Sequence, residues 1–393
     1  MDGFKPQKLV KLDGRVGEGG GQLVRIAVSL AALTGTPLRI DHVRGNRGDG
    51  KRGGGLKAQH ASCVRYLADA TAAEVTGCYV GSKSIEFKPT TTLANLVNRN
   101  IRIKAESAAS ILLVFQSMLP FLLFCGDDSG SPITATIQGG TNVRFSLSFE
   151  YFDQVLAPAL ERFGVKIDRK LDSRGWSLGA TNVGSATFRF VPLTPGQTLK
   201  APVWPVERGE ITEIDITILV PADTIEAFKK ALVFRIDQVL PGVGTNYHLV
   251  EDSRHRTRIY TLLVAHTSTG LRFGCDWLYD RKATGKTPDD IATEVAEKVV
   301  AKLDAEVQKG GLVDEYLQDQ LVVFQALAEG SSSIPGNSEA LSSEGNQVDR
   351  TDEPFGDGSQ HTTTARWVTS QLLPHTKWID KGRICKGAGW KAL

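Results

Sequence analysis

A similar order of elements comes twice before residue 193, and that recurrence constrains the fold more than any other feature of the chain. The first round has a helix from about Gln59 to Ala72, the stretch Glu74-Val-Thr-Gly77, and the alternating strand Ser84-Ile-Glu-Phe-Lys-Pro89. The second has a helix over Phe149–Phe163, a short strand at Val165-Lys-Ile-Asp168, and a strand at Ala186–Pro192. Between the rounds, residues Ala108–Phe124 are apolar almost all round and predict a buried helix, while Ile133–Gln138 alternate as a strand. Helical spacing and strand alternation interleaved in this way predict an α/β (α+β) core of repeated units rather than one continuous sheet.

After Gly196 the texture changes. Ile211–Val220 predict a strand and Asp223–Arg235 a charged amphipathic helix. Strands follow near Tyr247–Glu251, Arg258–His266 and Leu271–Leu278, and a long helix runs over Pro288–Val307, opened by Thr-Pro-Asp-Asp and stopped at Gly310-Gly311. Residues 195–309 therefore predict a smaller α/β module set between a first core part, 1–194, and a last core part, 310–393. Val313–Leu321 fit either a helix start or a strand, and an apolar run continues to Ala328. Residues 331–357, rich in serine, glycine and acidic side chains, predict a disordered insertion.

A chain of 393 residues with 41% hydrophobic content can bury a large core. The formal net charge of +2 is too small to argue for nucleic acid by itself, so an anion site must come from local clusters of arginine and lysine. Five scattered cysteines have no metal-ligand spacing, and their odd number argues against a disulfide framework. The amino-terminal residues contain no signal-peptide core, and the most apolar run, Ile111–Cys125, is too short to span a bilayer. These features predict a soluble intracellular protein of the nucleus or cytoplasm, with no membrane partner.

Three stretches carry chemistry. The first is a strand at Leu9–Asp13, the turn Gly14-Arg-Val-Gly-Glu18-Gly-Gly-Gly21, and a helix from about Gln22 to Leu33 stopped at Gly35. A glycine turn opening a helix suits an anion, but the spacing is neither the dinucleotide fingerprint nor the P-loop. Glu18 in the turn is either a metal ligand or a solvated carboxylate. The second is the basic, glycine-rich loop from Arg44 through Arg47, Lys51 and Arg52 to Lys57, followed by Gln59 and His60. Arginine there suits a bidentate grip on phosphate, and the plainer alternative is a solvated surface loop. The third is Gly358–Leu372, a helix opening on His361, with Ala365, Val368 and Leu372 at helical spacing and threonines able to cap its start. The positive helix end disfavours the protonated ring, and imidazole of pKa ~6.5 is already about three-quarters neutral at pH 7. Such a ring can act as a nucleophile, or it can simply help to cap the helix.

Taken together the motifs resemble those of the RNA 3′-terminal phosphate cyclase family. In order they are Leu12-Asp-Gly-x-x-Gly-Glu18-Gly-Gly-Gly-Gln22-x-x-Arg25, Arg44-x-x-Arg47, Gly55-Leu-x-x-Gln59-His60, Gly139-Gly-Thr-Asn142 and Glu207-Arg-Gly-Glu-Ile211. Then come Gly310-Gly-x-Val-Asp-Glu-Tyr316-Leu-x-Asp319-Gln320-Leu and His361-Thr-x-Thr-Ala365. The resemblance implies a core of units with two helices on a four-stranded sheet, plus a smaller inserted α/β domain. It implies ATP and Mg²⁺ (or Mn²⁺), RNA 3′-phosphate ends as partner, and three steps: a histidine–AMP adduct, an RNA adenylate, and closure by the 2′-hydroxyl to a 2′,3′-cyclic phosphate. By motif position His361 would be the nucleophile, Glu18 and Asp319 would lie at the metal, and Arg25, Gln116, Tyr316, Asp319 and Gln320 at the nucleotide. Arg44, Arg47, Gln59 and His60 would hold RNA phosphate. The chain departs from the family pattern in the longer segment between Arg47 and Gly55, which lacks the proline before Gly55, in Val143-Arg-Phe-Ser-Leu-Ser148 and Trp176–Asn182, and in the longer serine-rich stretch before His361. A competing reading is a non-catalytic, cyclase-like protein of ribosome assembly; the family resemblance at His361, Asp319, Arg25 and Arg44 favours the enzyme.

Overall fold

The computed structural model describes residues 8–48, 53–91, 98–104, 109–178, 181–281, 285–338 and 347–392. The recurrence read from the sequence is a recurrence of topology. In the first unit β1 (Val10–Asp13), α1 (Gly21–Thr34), β2 (Leu38–Asp41), α2 (Ala58–Thr71), β3 (Glu74–Thr76) and β4 (Ile85–Lys88) give a sheet ordered β1-β2-β4-β3. In the second, β5 (Asn100–Ile103), α3 (Ile111–Leu122), β6 (Ile133–Gly139), α4 (149–161), β7 (Asp168–Ser173) and β8 (Gly184–Phe190) give β5-β6-β8-β7. In each unit the first pair is parallel and the other two are antiparallel. A parallel pair needs a crossover, and α1 and α3 supply it.

The strand expected at Val165–Asp168 forms instead at Asp168–Ser173. Val165 and Ile167 are buried after the left-handed turn at Gly164, and pairing with β8 starts only at Asp168. Asn100–Ile103 is short and alternates Asn-Ile-Arg-Ile, too little to be read as a strand without its partner β6.

Residues 211–308 form a further sheet, β10-β9-β11-β12, from β9 (Ile211–Val220), β10 (Gly244–Asp252), β11 (Tyr260–Thr267) and β12 (Arg272–Leu278), with α5 (Ile225–Val239) and α6 (Pro288–Gln308) packed on it. Gly274 of β12 lies against α4, where a Cβ would fall 2.6 Å from the Tyr151 ring and 2.8 Å from Val155. The segment Val313–Leu321, open between helix and strand, is helical: α7 (Glu315–Leu327) is capped by the Asp314 carboxylate. The last unit adds β13 (Ser331–Ser333), α8 (Gln360–Leu372), β14 (Lys377–Ile379) and β15 (Ile384–Lys386), ordered β13-β15-β14.

The disorder expected over 331–357 is corrected at both ends. Ser331–Ser333 pair with β15, and Ser332 is buried, accepting a hydrogen bond from Gln325 at 3.1 Å. Asp349 accepts the backbone N–H groups of Lys381 and Gly382, so the stretch before α8 is tied down as well. Residues 339–346 lie outside the described residues. Among the described residues no helix is long and apolar enough to cross a membrane. Helix α1, apolar along most of its length, packs against α2, α3 and α8, which places its amino-terminal turn where the units meet.

Candidate active site

The glycine turn brings backbone, not side chains, to the start of α1. Gly17 and Gly19 adopt left-handed φ of 68° and 60°, and Gly20 caps α1 without a side-chain hydrogen bond. The first N–H groups of the helix thus have no side-chain cap, which is the arrangement an anion fits. A Cβ on Gly21 would fall 2.5 Å from His60 Nε2, so glycine is needed there for close approach.

At the other end of the chain Ser359, rather than a threonine, caps α8 by accepting the Thr362 N–H at 3.2 Å. His361 therefore sits in the first turn. One hydrogen bond ties α8 to the glycine turn: the Glu18 N–H donates to Thr364 Oγ1 at 2.9 Å. A second chain of bonds runs from the imidazole. Gln22 Nε2 donates to Asp319 Oδ2 at 3.0 Å, so its Oε1 faces His361 Nδ1, also at 3.0 Å. An amide oxygen can only accept, so Nδ1 carries the proton and Nε2 keeps its lone pair. Gln320 donates to the same Asp319 carboxylate.

The ring of His361 is open to water on one side and packed on the other. Its pKa lies below 6.5, chiefly because the packed side lacks water and then because of Arg25 and Arg47, with Glu315 opposing. Asp319, 8% exposed, is pushed up to about 7 by burial, against Gln320, Arg25 and Gln22, which favour its ionised form.

Gln22, Arg25, Gln116, Asp319 and Gln320 line the polar part of one cleft. Its floor is apolar, built from Phe115, Leu119, Phe152, Leu156, Val323 and Phe324. Phe152 and Leu156 bound a π-helical turn in α4, which helical spacing does not reveal; such turns recur at functional sites. The Arg25 guanidinium has no hydrogen bond or ion pair with a described side chain, and burial lowers its pKa to about 10. Gln116 Nε2 is buried with no partner among the described residues.

His60 is 2% exposed, and its Nδ1 accepts the Lys57 N–H at 3.2 Å. Its proton then lies on Nε2, which is buried beside Gly21 with no partner among the described residues. Burial and the charges of Arg25, Arg44 and Lys57 hold its pKa well below 6.5, so it is a neutral donor. Arg44, with φ 56°, donates to the carbonyls of Gly53 and Gly55 at 3.0 and 3.2 Å, and burial lowers its pKa. Arg47 pairs with Glu18, whose carboxylate is 9% exposed and accepts from no other described residue.

Two of the expected site residues stand apart. Gln59 is half-buried at the start of α2 and makes no side-chain bond with a described residue. Tyr316 lies outside the cleft lining: its hydroxyl accepts from Lys302 at 3.0 Å, and the Lys302 ammonium is 5.1 Å from its ring centroid. Gln22 and Thr364 stand within the sequence motifs, which assign them no role. Gln22 closes the Gly-Gly-Gly run, and that position at the start of a helix was the available signal.

A family model described as RNA 3′-terminal phosphate cyclase matches residues 16–377. The chain belongs to the RNA 3′-terminal phosphate cyclase family. It is 32% identical over 330 residues to the "RNA 3′-terminal phosphate cyclase" of Thermococcus kodakarensis, covering 83% of this chain and 87% of that protein. It is 29% identical over 335 residues to the protein so named in Drosophila melanogaster, covering 84% and 86%. For the "Probable RNA 3′-terminal phosphate cyclase" of Dictyostelium discoideum the figures are 32% over 333 residues, 82% and 72%. Within this cyclase family match, Glu18 and His361 lie 343 residues apart in sequence and are joined in space through Thr364 and Gln22.

Proposed function

We propose that the protein converts an RNA 3′-terminal phosphate to a 2′,3′-cyclic phosphate with ATP as the activating substrate. The observation that carries the reading is a neutral imidazole whose Nδ1 is held by Gln22, leaving Nε2 free beside a cleft that Gln22 and Arg25 line, with Arg25 bonded to no described side chain.

In the first step Nε2 bonds to the α-phosphorus of ATP and the bond to pyrophosphate breaks. The charge gained by the ring is shared along Nδ1–H to the Gln22 oxygen. Asp319 holds the far end of that amide, so Gln22 has no freedom to turn its NH₂ toward the ring. Positioning and charge stabilisation supply the barrier reduction, because a phosphoryl centre needs little covalent help from the protein. In the second step a terminal phosphate oxygen of RNA displaces the histidine, and the lone pair returns to Nε2. In the third the 2′-hydroxyl attacks the terminal phosphorus and AMP leaves. Arg25, Arg44 and the His60 Nε2–H are the donors for phosphate oxygens, and Gln116 and Gln320, which line the cleft, frame the nucleotide.

Among the described residues no three His, Cys, Asp or Glu side chains gather as a metal centre. The buried Glu18 carboxylate, held only by Arg47, is an oxygen donor that fits a hard divalent cation sharing phosphate oxygens, with Asp319 as the other candidate. Mg²⁺ bound there would neutralise charge on the ATP phosphates.

The test is incubation with α-labelled ATP and Mg²⁺. The expected product is an acid-labile, base-stable protein–AMP adduct, absent in His361→Ala. Full labelling of that variant would assign the chemistry to another residue.

A further inference from the structure

Residues beyond 377 lie past the stretch that the family model matches, and they touch the chain just ahead of His361. The turn between β14 and β15 contains three successive left-handed residues, Asp380, Lys381 and Gly382, with φ of 55°, 58° and 74°. Two of these are not glycine, so the turn is strained and must be held from outside. Asp349 holds it by accepting the N–H groups of Lys381 and Gly382 at 2.9 and 2.7 Å.

The turn in turn grips Asp357, four residues before His361. The Asp357 N–H donates to the Lys381 carbonyl at 2.8 Å. Arg383, whose side chain is 4% exposed, donates from Nε to Asp357 Oδ2 at 2.9 Å, and its terminal nitrogen lies 2.8 Å from the same oxygen. Arg366 of α8, 2% exposed and stacked 5.7 Å from the Trp378 ring centroid, donates to the Asp357 carbonyl. Gly382 is required beside it, since a Cβ there would fall 2.5 Å from Arg366 Nε. Two buried guanidinium groups therefore fix both ends of one aspartate, and Ser359, the cap of α8, follows two residues later.

We propose that the Asp380–Arg383 turn is a brace that sets the angle of the His361 imidazole, with Arg383 as its positioning residue. This rests on His361 being the nucleophile. The physical reason is reach: the His361–Gln22 bond is a single contact at a helix start, and a first turn frays unless its entry is anchored. A shift of about 1 Å at the reacting nitrogen costs on the order of 10²-fold in rate.

The experiment combines amide exchange with single-turnover adenylylation in full-length Arg383→Gln. In that variant the Thr362 and Thr363 amides are expected to exchange at least about tenfold faster, while those of α1 stay at the wild-type rate. Adduct formation at saturating ATP should slow by ~10- to 100-fold with the KM for ATP within about twofold of wild type, and added guanidinium ion should restore part of the rate. Asp357→Asn, which keeps the backbone contact to Arg366, should show the same pattern at smaller size, and decides the matter if Arg383→Gln does not fold. Unchanged exchange at Thr362 and Thr363, equal acceleration in α1, or a raised KM without loss of rate would overturn the brace. Exchange needs neither ATP nor RNA, so a wild-type protein that forms no adduct would count against the proposed function alone.

Discussion

Gln22 meets its two neighbours through opposite ends of one amide, and that polarity is the smallest unit of the mechanism. Because Asp319 takes the NH₂ end, the oxygen end selects the His361 tautomer. Gln22→Leu keeps the size and removes both bonds, so the ring can rotate and either nitrogen can carry the proton. Single-turnover adenylylation is expected to slow by ~10²-fold with little change in melting temperature; an unchanged rate would mean that something else orients the ring. A second residue-scale prediction concerns pH. Burial, Arg25 and Arg47 lower the His361 pKa from 6.5, so the ring is neutral at pH 7, and on the proposed mechanism activity is lost as pH falls through that lowered pKa. Arg47→Gln removes one cation and leaves Glu18 unpaired, and both changes favour the protonated ring. The acid limb of the adenylylation rate, followed from pH 5 to 8, should move to higher pH in this variant, and a limb that stays or moves down would contradict the assignment.

At the scale of elements, helices were readable because apolar spacing survives in α1, α3 and α8 whatever they pack against. The glycine turn was readable because Gly17 and Gly19 occupy backbone that other residues enter at a cost. What could not be read was pairing across distance. Thr364 is one of three threonines after His361, and nothing in its neighbours marks it as the acceptor for the Glu18 N–H, 346 residues away. Ser331–Ser333 failed for another reason: three serines have no alternation, and they form a strand only because β15 offers backbone partners. The Thr364 clip gives an element-scale prediction. Thr364→Val leaves the buried Glu18 N–H without an acceptor, at a cost of about 1–3 kcal/mol in denaturant unfolding, and loosens the turn that carries Glu18. Gly274→Ala tests a different junction. Its Cβ would press on Tyr151 and Val155, so a loss of about 1–3 kcal/mol is expected, read as a lowered denaturant midpoint.

On the scale of the whole molecule the site is a meeting point rather than a property of one unit: α1 comes from the first, α3 and α4 from the second, α7 and α8 from the last. Asp314 shows how the 211–308 sheet is joined to that assembly. Fully buried, it accepts from Tyr151 of α4 at 2.6 Å, from the Gly274 N–H of β12 at 2.9 Å, and from the first turn of α7, whose residues Asp319 and Gln320 line the cleft. The proposed reaction separates the substrates by step. In it, adenylylation of the nucleic acid would use only a terminal phosphate oxygen, with Arg25, Arg44 and His60 as the proposed donors and no contact to sugar. Closure would use the 2′-hydroxyl as the attacking group, and only RNA has one. With labelled ATP, an oligonucleotide ending in a deoxynucleotide 3′-phosphate should therefore accumulate as the adenylate, whereas the ribonucleotide-ended version should pass on to a cyclic end and release AMP. Failure of the deoxy end to take up AMP would show that the 2′-hydroxyl is already needed for binding, and would move recognition of the sugar ahead of the first transfer to the nucleic acid.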